Sequence, residues 1–254
     1  VFHAIEQFLS VDLQNSGMVN GVLRSLENRP ELSVRQPDWD RDNHLLHTPA
    51  GTVDLRTGQI TSAAASDYIT RSTSVAPAAL MPDCLWLAKL REWFGDDPAE
   101  LEYHQILAGY FLTGETRDPC LPIWLGPGGD GKSLIANTYR VIMGGYARTS
   151  TDTAFVETRH SQHSEEIAWL TGRRLVLLAE VTGTWHESRI KAVTGGENMS
   201  ASFKGGKVFE FTPRFKLLVT SNQPPRLRSV GPEFRRRVHS YLFTRKIESP
   251  DPQL

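Results

Sequence analysis

The sequence predicts an α/β protein whose core is a parallel sheet with helices packed against it. Three apolar runs predict the strands: residues 121–125, which lead directly into a glycine-rich loop, and residues 175–179 and 216–220 further along the chain. Short apolar runs separated by longer stretches are typical of buried parallel strands. A helical pattern follows the glycine-rich loop, and strands that alternate with helices form a layered α/β fold.

The composition is that of an ordinary globular protein, with 254 residues, 39% of them hydrophobic, and a net charge of −1. The apolar runs fall well short of the roughly 20 residues needed to cross a bilayer, so no membrane segment is predicted. Two cysteines, Cys84 and Cys120, are too few for a disulfide framework or a four-ligand zinc site, which favours a reducing, cytoplasmic location. The chain starts at Val1 without a methionine or a signal-peptide pattern, and we expect it to be a piece of a longer polypeptide.

The first eighty residues are expected to form a small α+β module. Helical periodicity is present around residues 5–9 and 22–26, and Pro30 ends the second stretch. Short alternating segments between residues 45 and 60, separated by Pro49 and by glycines, indicate turns that join short strands.

Two helices are predicted next. An apolar stripe at Leu87, Leu90 and Trp93 ends at Gly95, a C-cap residue, and Asp97 followed by Pro98 is the start signal of a second helix that runs to about residue 114. Four aromatic residues on these helices are interpreted as core rather than as a base-stacking surface: Trp86, Trp93, Tyr110 and Phe111. The predicted domains are therefore residues 1–80, a helical segment at 81–118, the α/β core at 119–245 and a truncated tail at 246–254.

Residues 126–133 read Gly-Pro-Gly-Gly-Asp-Gly-Lys-Ser, which is a complete phosphate-binding loop. The glycines let the backbone turn tightly with its amides directed at a β-phosphate, Lys132 reaches the β and γ oxygens, and Ser133 offers its hydroxyl to Mg²⁺. The pattern predicts a nucleoside triphosphate site; the alternative is a glycine-rich surface turn. The predicted nucleotide-binding residues are Gly126, Gly128, Gly129, Asp130, Gly131, Lys132, Ser133 and Leu134.

Polar residues follow the two later strands at their carboxyl ends, where parallel sheets place ligands. Glu180 follows the run at 175–179 and is the candidate general base, as well as a metal partner beside Ser133; the alternative is a glutamate that merely leaves the core. Asn222 follows the last strand and is expected to hydrogen-bond the attacking water and the γ-phosphate. The predicted catalytic set is Lys132, Glu180, Asn222, Arg236 and Arg237.

The two arginines belong to a run of three, and either Arg236 or Arg237 is predicted to be an arginine finger on a neighbouring subunit's nucleotide. An exposed basic turn is the alternative. Residues 203–237 hold nine basic and two acidic residues, which predicts a localised basic stripe unless neighbours in space balance it. His160 and His163 have the spacing of metal ligands on a helix, but with no third ligand apparent we interpret them as a solvated loop.

Gly205-Gly206, between two alternating segments, predicts a β-hairpin. Lys204 and Lys207 flank its tip and are the candidate DNA-binding residues, because exposed lysines at a projecting turn suit a phosphate backbone.

In combination, these motifs resemble the phage- and plasmid-type DNA primase-helicases, whose motor belongs to the superfamily-three helicases of the AAA+ class and which include the poxvirus primase-helicase. The resemblance covers nearly the whole chain and is carried by the phosphate loop and by residues 45–58, 67–73, 107–114, 194–197 and 211–216. It implies an AAA+-type P-loop NTPase core with a parallel sheet, preceded by the α+β module and a helical collar at 81–118.

The resemblance also implies a function. It implies ATP hydrolysis with Mg²⁺ at subunit interfaces, 3′-to-5′ movement on DNA that runs single-stranded through the pore of a homo-hexamer, and a hairpin that faces this pore. A primase domain is expected in the same parent polypeptide, of phage, prophage or plasmid origin in a bacterial host.

Two residues depart from the family pattern. Asp130 stands where these proteins usually have asparagine, so its carboxylate must point away from phosphates or be neutralised. Ala179 precedes Glu180 without a second acidic residue, which leaves Mg²⁺ more dependent on Ser133 and water. Two alternative functions stay open: a nucleotide-dependent DNA-loading module that does not unwind, and a small-molecule phosphotransferase.

Overall fold

The computed structural model describes residues 16–27, 29, 38–80, 84–95, 97–157, 164–228 and 231–247. The chain forms two compact units, Val1–Arg41 and Asp42–Leu254. The first unit contains helix α1 (Ser16–Glu27), which corresponds to the predicted helical stretch at 22–26. The other predicted stretch, at residues 5–9, lies outside the described residues, as do His160 and His163.

The second unit opens with a three-stranded antiparallel sheet, which confirms the predicted short strands. Its strands are β1 (Leu45–Thr48), β2 (Gly51–Asp54) and β3 (Gln59–Thr61), hydrogen-bonded in that order. A Cβ on Gly51, whose φ is 127°, would lie 2.2 Å from the carbonyl oxygen of Thr61, so only glycine permits the close approach of β2 and β3.

The two predicted helices follow, with the predicted ends. Helix α2 (Leu85–Phe94) stops at Gly95, whose φ is 86°, and helix α3 (Pro98–Leu112) begins after Asp97, whose carboxylate accepts a hydrogen bond of 2.9 Å from the backbone N–H of Ala99. This N-cap satisfies one of the free amides of the first turn. Of the four aromatic residues predicted to be core, Trp93 and Phe111 are buried, and Trp86 and Tyr110 are half-buried.

The centre of the second unit is a five-stranded sheet, and every pairing in it is parallel. The strand order is β10 (Val238–Leu242), β4 (Leu121–Leu125), β9 (Lys216–Ser221), β6 (Leu175–Ala179) and β5 (Ala147–Ser150). The helices between these strands are α4 (Lys132–Met143), α5 (Ser164–Ala168), α6 (Glu187–Gly195) and α7 (Pro232–Arg235). The predicted α/β class with a parallel sheet is confirmed.

Alternate residues of each strand point to opposite sides of this sheet, and an apolar cluster covers each side. Ile123, Val176 and Leu217 pack in one apolar cluster with residues such as Phe155, Ile190 and Phe234. Trp124, Leu175 and Leu218 pack in the other cluster with Phe94, Phe111, Ile135 and Tyr146. Burial on both sides explains why these strands read as continuous apolar runs. Because these strands pair parallel, the carboxyl ends of β4, β9 and β6 lie at one edge of the sheet.

Candidate nucleotide site

The glycine-rich loop connects β4 to α4 at this carboxyl edge. Three of its glycines have positive φ angles: 99° at Gly128, 67° at Gly129 and 88° at Gly131, which caps α4. These left-handed conformations are strained for other residue types, so the loop needs glycine at these positions. The sharp turn places the N-terminus of a helix directly after a buried strand, which is the geometry of an anion-binding site.

Lys132, the first residue of α4, turns its ammonium group back into the loop. Its Nζ donates hydrogen bonds to the carbonyl oxygen of Gly126 at 3.1 Å, to the Asp130 carboxylate at 2.9 and 3.2 Å, and to Oδ1 of Asn222 at 2.9 Å. Lys132 and Asp130 are only 2% and 3% exposed. The lysine charge is therefore held at a fixed position by its partners rather than extended into solvent.

The Asp130 carboxylate was expected either to point away from the phosphates or to be neutralised, and the structure shows it neutralised by Lys132. Besides the Lys132 ammonium, its carboxylate accepts hydrogen bonds from the backbone amides of Gly128 at 3.4 Å and Lys132 at 3.3 Å. The carboxylate oxygens thus engage the same kind of donors that a phosphate-binding loop offers to phosphate oxygens. In this structure an oxyanion of the protein itself makes these contacts.

Asn222 reaches the loop because β9 lies beside β4. Leu125 pairs with Ser221, and the backbone N–H of Gly126 donates to the carbonyl oxygen of Ser221 at 3.3 Å. The next residue is therefore adjacent to the start of the loop, and its side-chain oxygen accepts from Lys132. The sequence predicted this residue's edge position, whereas its contact with Lys132 is visible only in the structure.

Glu180 follows β6 and is exposed at the same edge. Its backbone N–H donates to the carbonyl oxygen of Thr220 at 2.9 Å, and its φ of 50° is left-handed. Such a conformation in a residue other than glycine costs on the order of 1–3 kcal/mol and is found preferentially at functional sites. The strained backbone turns the chain where Glu180 lines a cavity beside the loop.

These residues line one cavity of about 420 Å³, within the size range of small-molecule sites. The predicted residues that line it are Gly128, Gly129, Asp130, Gly131, Lys132, Ser133, Leu134, Glu180 and Asn222. Gly126 contributes its carbonyl oxygen to Lys132 from just outside this lining.

Three lining residues are missing from the sequence prediction: Lys89, Trp93 and Ile247. Trp93 has the spacing of a core residue on α2, and Ile247 falls in the predicted tail. The backbone N–H of Ile247 donates to the carbonyl oxygen of Gly129 at 2.8 Å. No local pattern signals these contacts, since they arise from segments far from the loop in sequence.

The predicted metal partners Ser133 and Glu180 both line the cavity and both offer oxygen atoms, the donors that Mg²⁺ prefers. No cluster of three or more His, Cys, Asp or Glu side chains suited to a metal exists among the described residues. A metal here would depend on ligand oxygens in addition to these two side chains.

Arg236 and Arg237 lie away from this cavity. Both precede β10, whose first residue Val238 pairs with Leu121, so they stand at the amino edge of the sheet. Arg237 is buried and donates from Nη1 to the carbonyl oxygen of Glu233, whereas Arg236 is exposed. Neither arginine lies among the residues that line the cavity of its own chain.

The predicted hairpin is present. Strands β7 (Met199–Ala201) and β8 (Phe209–Phe211) pair antiparallel, and the N–H of Gly206 donates to the carbonyl oxygen of Phe203 at 2.8 Å to close a tight turn. Lys204 and Lys207 are exposed on the connecting loop. The hairpin leads into the amino end of β9, the strand whose other end carries Asn222.

The prediction of one basic stripe over residues 203–237 does not hold for every basic residue in this range. Lys216 is 3% exposed and donates to the carbonyl oxygen of Thr113, and its pKa is lowered well below the ordinary lysine value by burial and by the nearby Arg174. Arg237 is also buried, and Arg228 pairs with Glu157. Strand formation turns Lys216 inward, so the nine basic residues do not all lie at the surface.

The fold and the loop define a class of protein. A parallel sheet in which an inner strand passes through a glycine-rich loop into a helix, with polar residues at the ends of the neighbouring strands, is the P-loop NTPase type of α/β fold.

Two known families match separate parts of the chain. Residues 5–107 match the family described as D5 N terminal like, and residues 124–237 match a family of unknown function, DUF5906.

Two viral proteins are similar to most of the chain. "Putative helicase 184R" of Invertebrate iridescent virus 6 is 23% identical over 245 residues, covering 87% of this chain and 24% of the relative. "Putative helicase 121R" of Invertebrate iridescent virus 3 is 24% identical over 234 residues, covering 85% of this chain and 24% of the relative. This chain therefore spans about a quarter of the length of the curated relatives it matches.

The fold is shared with a solved structure, the apo form of the NrS-1 C-terminal region. The TM-score is 0.53 at 19% identity, with 70% of this chain and 41% of that chain covered. The family match, the viral relatives and this shared fold confirm the resemblance to the phage- and plasmid-type primase-helicases. Among the described helices, none is both long and apolar enough to span a membrane.

Proposed function

We propose that this chain is the ATP-hydrolysing motor core of a replication helicase that acts on DNA. The observation that carries the proposal is the convergence of Lys132, Ser133, Glu180 and Asn222 on one cavity at the carboxyl edge of the parallel sheet. The helicase names of the viral relatives support a helicase role with DNA as the partner, and the NrS-1 region shares the fold.

The loop would bind the triphosphate. The amides at the start of α4 and the Lys132 ammonium supply hydrogen bonds and positive charge, which stabilise the β- and γ-phosphate oxygens as negative charge develops on the leaving group. Asn222 holds the ammonium in place from the neighbouring strand. Mg²⁺, when bound beside Ser133, would neutralise part of the phosphate charge.

Glu180 would act as the general base. Its carboxylate accepts a proton from a water molecule while the water oxygen forms a bond to the γ-phosphorus and the bond between the γ-phosphorus and the bridging oxygen breaks, leaving ADP and inorganic phosphate. A group with this role must be free to contact water, and Glu180 is exposed at the cavity.

Arg236 is the better candidate for the arginine finger. Arg237 is buried and held by its own chain through Glu233, whereas Arg236 is exposed at the edge opposite the phosphate loop. A guanidinium in that position serves a nucleotide on an adjacent subunit, so the proposal includes a ring-shaped homo-oligomer, with a hexamer expected from the resemblance.

The first test compares Lys132→Ala and Glu180→Gln with the unmodified chain. Lys132→Ala is expected to lose both ATP binding and hydrolysis, because it removes the only basic side chain of the loop at residues 126–133. Glu180→Gln is expected to keep ATP bound while hydrolysis falls by roughly 10² or more, the scale of general-base catalysis. ATP hydrolysis by Lys132→Ala within about tenfold of the unmodified chain would contradict the assignment.

The second test is DNA dependence. Hydrolysis that rises when single-stranded DNA is added supports a helicase motor, and a strand-displacement assay then measures unwinding. Hydrolysis that requires a small acceptor supports a phosphotransferase instead. Binding of ATP and DNA without DNA-stimulated hydrolysis supports a loading module.

A further inference from the structure

Trp93, on helix α2, lies against the phosphate loop. A Cβ on Gly131 would lie 2.9 Å from Nε1 of Trp93 and about equally close to the two carbons bonded to that nitrogen. The nitrogen-bearing edge of the indole therefore faces the residue that caps α4. Trp93 is only 5% exposed, yet it lines the cavity of the nucleotide site.

The indole N–H of Trp93 is a buried donor to which no described residue offers an acceptor. Buried polar groups in folded proteins almost always have a hydrogen-bond partner, and an exception calls for a specific explanation. The rest of the ring is well packed, with Trp86 in an edge-on contact at a centroid distance of 5.8 Å. Packing accounts for an aromatic ring at this position, but it does not account for the N–H.

We propose that Trp93 is a nucleotide-binding residue whose indole N–H donates a hydrogen bond to an oxygen of the phosphate chain. The inference rests on the proposed nucleotide site and adds to it a donor from outside the loop. A phosphate oxygen is the acceptor that fits this place, because the edge of the ring lies at the N-terminus of α4, where the helix favours anions. Since the N–H is buried against Gly131 in this structure, the contact forms when a phosphate displaces the Asp130 carboxylate and the loop shifts.

The contact couples helix α2 to the phosphates. Phe94, the next residue, packs against Trp124 of β4 at a centroid distance of 6.0 Å. Helix α2 thus packs against the sheet through Phe94 and contacts the phosphate chain through Trp93. Nucleotide binding would hold this end of α2 in place.

The test replaces Trp93 by phenylalanine, which keeps an aromatic ring and removes the N–H. The probes are MgATP and inorganic tripolyphosphate, the latter having neither base nor ribose. We expect Trp93→Phe to bind both probes about tenfold more weakly, since a hydrogen bond to a charged acceptor is worth at least that much. Trp86→Phe is the matched control, because Trp86 packs beside Trp93 but does not line the cavity, and its affinities should not change.

A spectroscopic measurement on the unmodified chain keeps the inference testable if Trp93→Phe folds poorly. The indole ¹H–¹⁵N resonance of Trp93 should move downfield on addition of tripolyphosphate, whereas that of Trp86 should move little. A loss confined to MgATP, with unchanged tripolyphosphate binding, would contradict the phosphate contact. Equal affinities together with an unmoved Trp93 resonance would overturn the inference and leave the nucleotide site intact. Failure of the unmodified chain to bind either probe would overturn the proposed function as well.

Discussion

At the scale of single residues, the most informative pair is Asp130 and Lys132. The two side chains are buried together, and Asp130 accepts from the ammonium and from two loop amides. An incoming phosphate needs these donors. In the proposed function, nucleotide binding competes with an internal carboxylate, which belongs to the one residue of the loop that departs from the family pattern.

The first prediction concerns Asp130→Asn, which keeps the shape of the side chain and removes its charge. Nucleotide affinity is expected to rise by about tenfold or more, because a carboxylate close to phosphates repels them by several kcal/mol even at an effective dielectric constant of about 20. Without nucleotide, the variant should unfold at a lower temperature, because Lys132 loses its buried partner. Calorimetric titration and thermal unfolding measure both effects.

Asp118→Asn is the control for this variant, since Asp118 is an exposed acid outside the cavity. It should leave nucleotide affinity and unfolding temperature unchanged. Weaker nucleotide binding by Asp130→Asn would mean that the carboxylate assists the ligand rather than competing with it.

At the scale of secondary-structure elements, β9 connects the two predicted functions. Its carboxyl end is followed by Asn222, which contacts Lys132, and its amino end is reached from the hairpin of β7 and β8. A strand buried on both faces is a rigid link. In the proposed mechanism, a change in position at the phosphate loop would reach the hairpin through this strand.

The second prediction tests the hairpin with Lys204→Ala and Lys207→Ala combined. The double variant should bind single-stranded DNA more weakly and with a salt dependence flattened by about two phosphate contacts, while ATP hydrolysis without DNA persists. Binding titrations over a series of salt concentrations give the slope. The control combines Arg117→Ala with Arg140→Ala, which removes two basic residues outside the hairpin. An equal loss of DNA affinity in this control would show that the hairpin has no special role in DNA binding.

The third prediction concerns helix α3, which carries the buried His104. The imidazole stacks on Phe94 at a centroid distance of 3.5 Å, and within the described structure neither ring nitrogen has a hydrogen-bond partner. Burial lowers the pKa of His104 from 6.5 to about 4. Well above pH 6.5, His104 is neutral in both the folded and the unfolded chain. Between pH 6.5 and 4, the unfolded chain binds a proton at His104 that the folded chain does not bind.

The folded state should therefore lose stability as the pH falls from 6.5 to 4, at a rate of up to about 1.4 kcal/mol per pH unit from this residue. Denaturant unfolding at several pH values should show a shallower dependence for His104→Phe than for the unmodified chain. His239→Gln, at an exposed histidine, serves for comparison. An unchanged slope in His104→Phe would contradict the lowered pKa.

At the scale of the whole molecule, the residues proposed to act in catalysis lie at two opposite edges of the parallel sheet. The carboxyl edge carries the phosphate loop, Glu180 and Asn222, and the amino edge carries Arg236 and the base of the hairpin. A single copy of the chain does not bring Arg236 to its own nucleotide cavity. Complete catalysis by the proposed mechanism therefore requires at least two copies, arranged head to tail.

The fourth prediction follows from this separation. Arg236→Ala should bind ATP nearly normally and hydrolyse it about 10³-fold more slowly, the scale of an arginine finger. Mixing it with Lys132→Ala, itself inactive, should restore part of the activity, because some interfaces then combine an intact arginine with an intact loop. Hydrolysis rates of the mixture under conditions of co-assembly provide the measurement.

Arg235→Ala tests the neighbouring exposed arginine and should remain active. No recovery in a mixture that demonstrably co-assembles would argue against action between subunits. Normal hydrolysis by Arg236→Ala in the assembled state would remove this arginine from the mechanism.

The sequence by itself determined the class of fold, the phosphate loop, the helix caps at Gly95 and Asp97, and the edge positions of Glu180 and Asn222. These features depend on local chemistry: positive φ angles that require glycine, side-chain caps, and apolar runs that must be buried on both faces. Each can be recognised from a few neighbouring residues.

Only the tertiary structure decided which side chains meet. It showed that Lys132 neutralises Asp130, that Trp93 and Ile247 reach the loop from distant segments, and that Lys216 and Arg237 are buried although they belong to a basic stretch. The physical reason is that the contacts depend on strand order and on the direction of each side chain in the packed sheet. In the sheet, β9 lies beside β4 although more than ninety residues separate them along the chain. The residue pattern within either strand does not indicate which strand lies next to it.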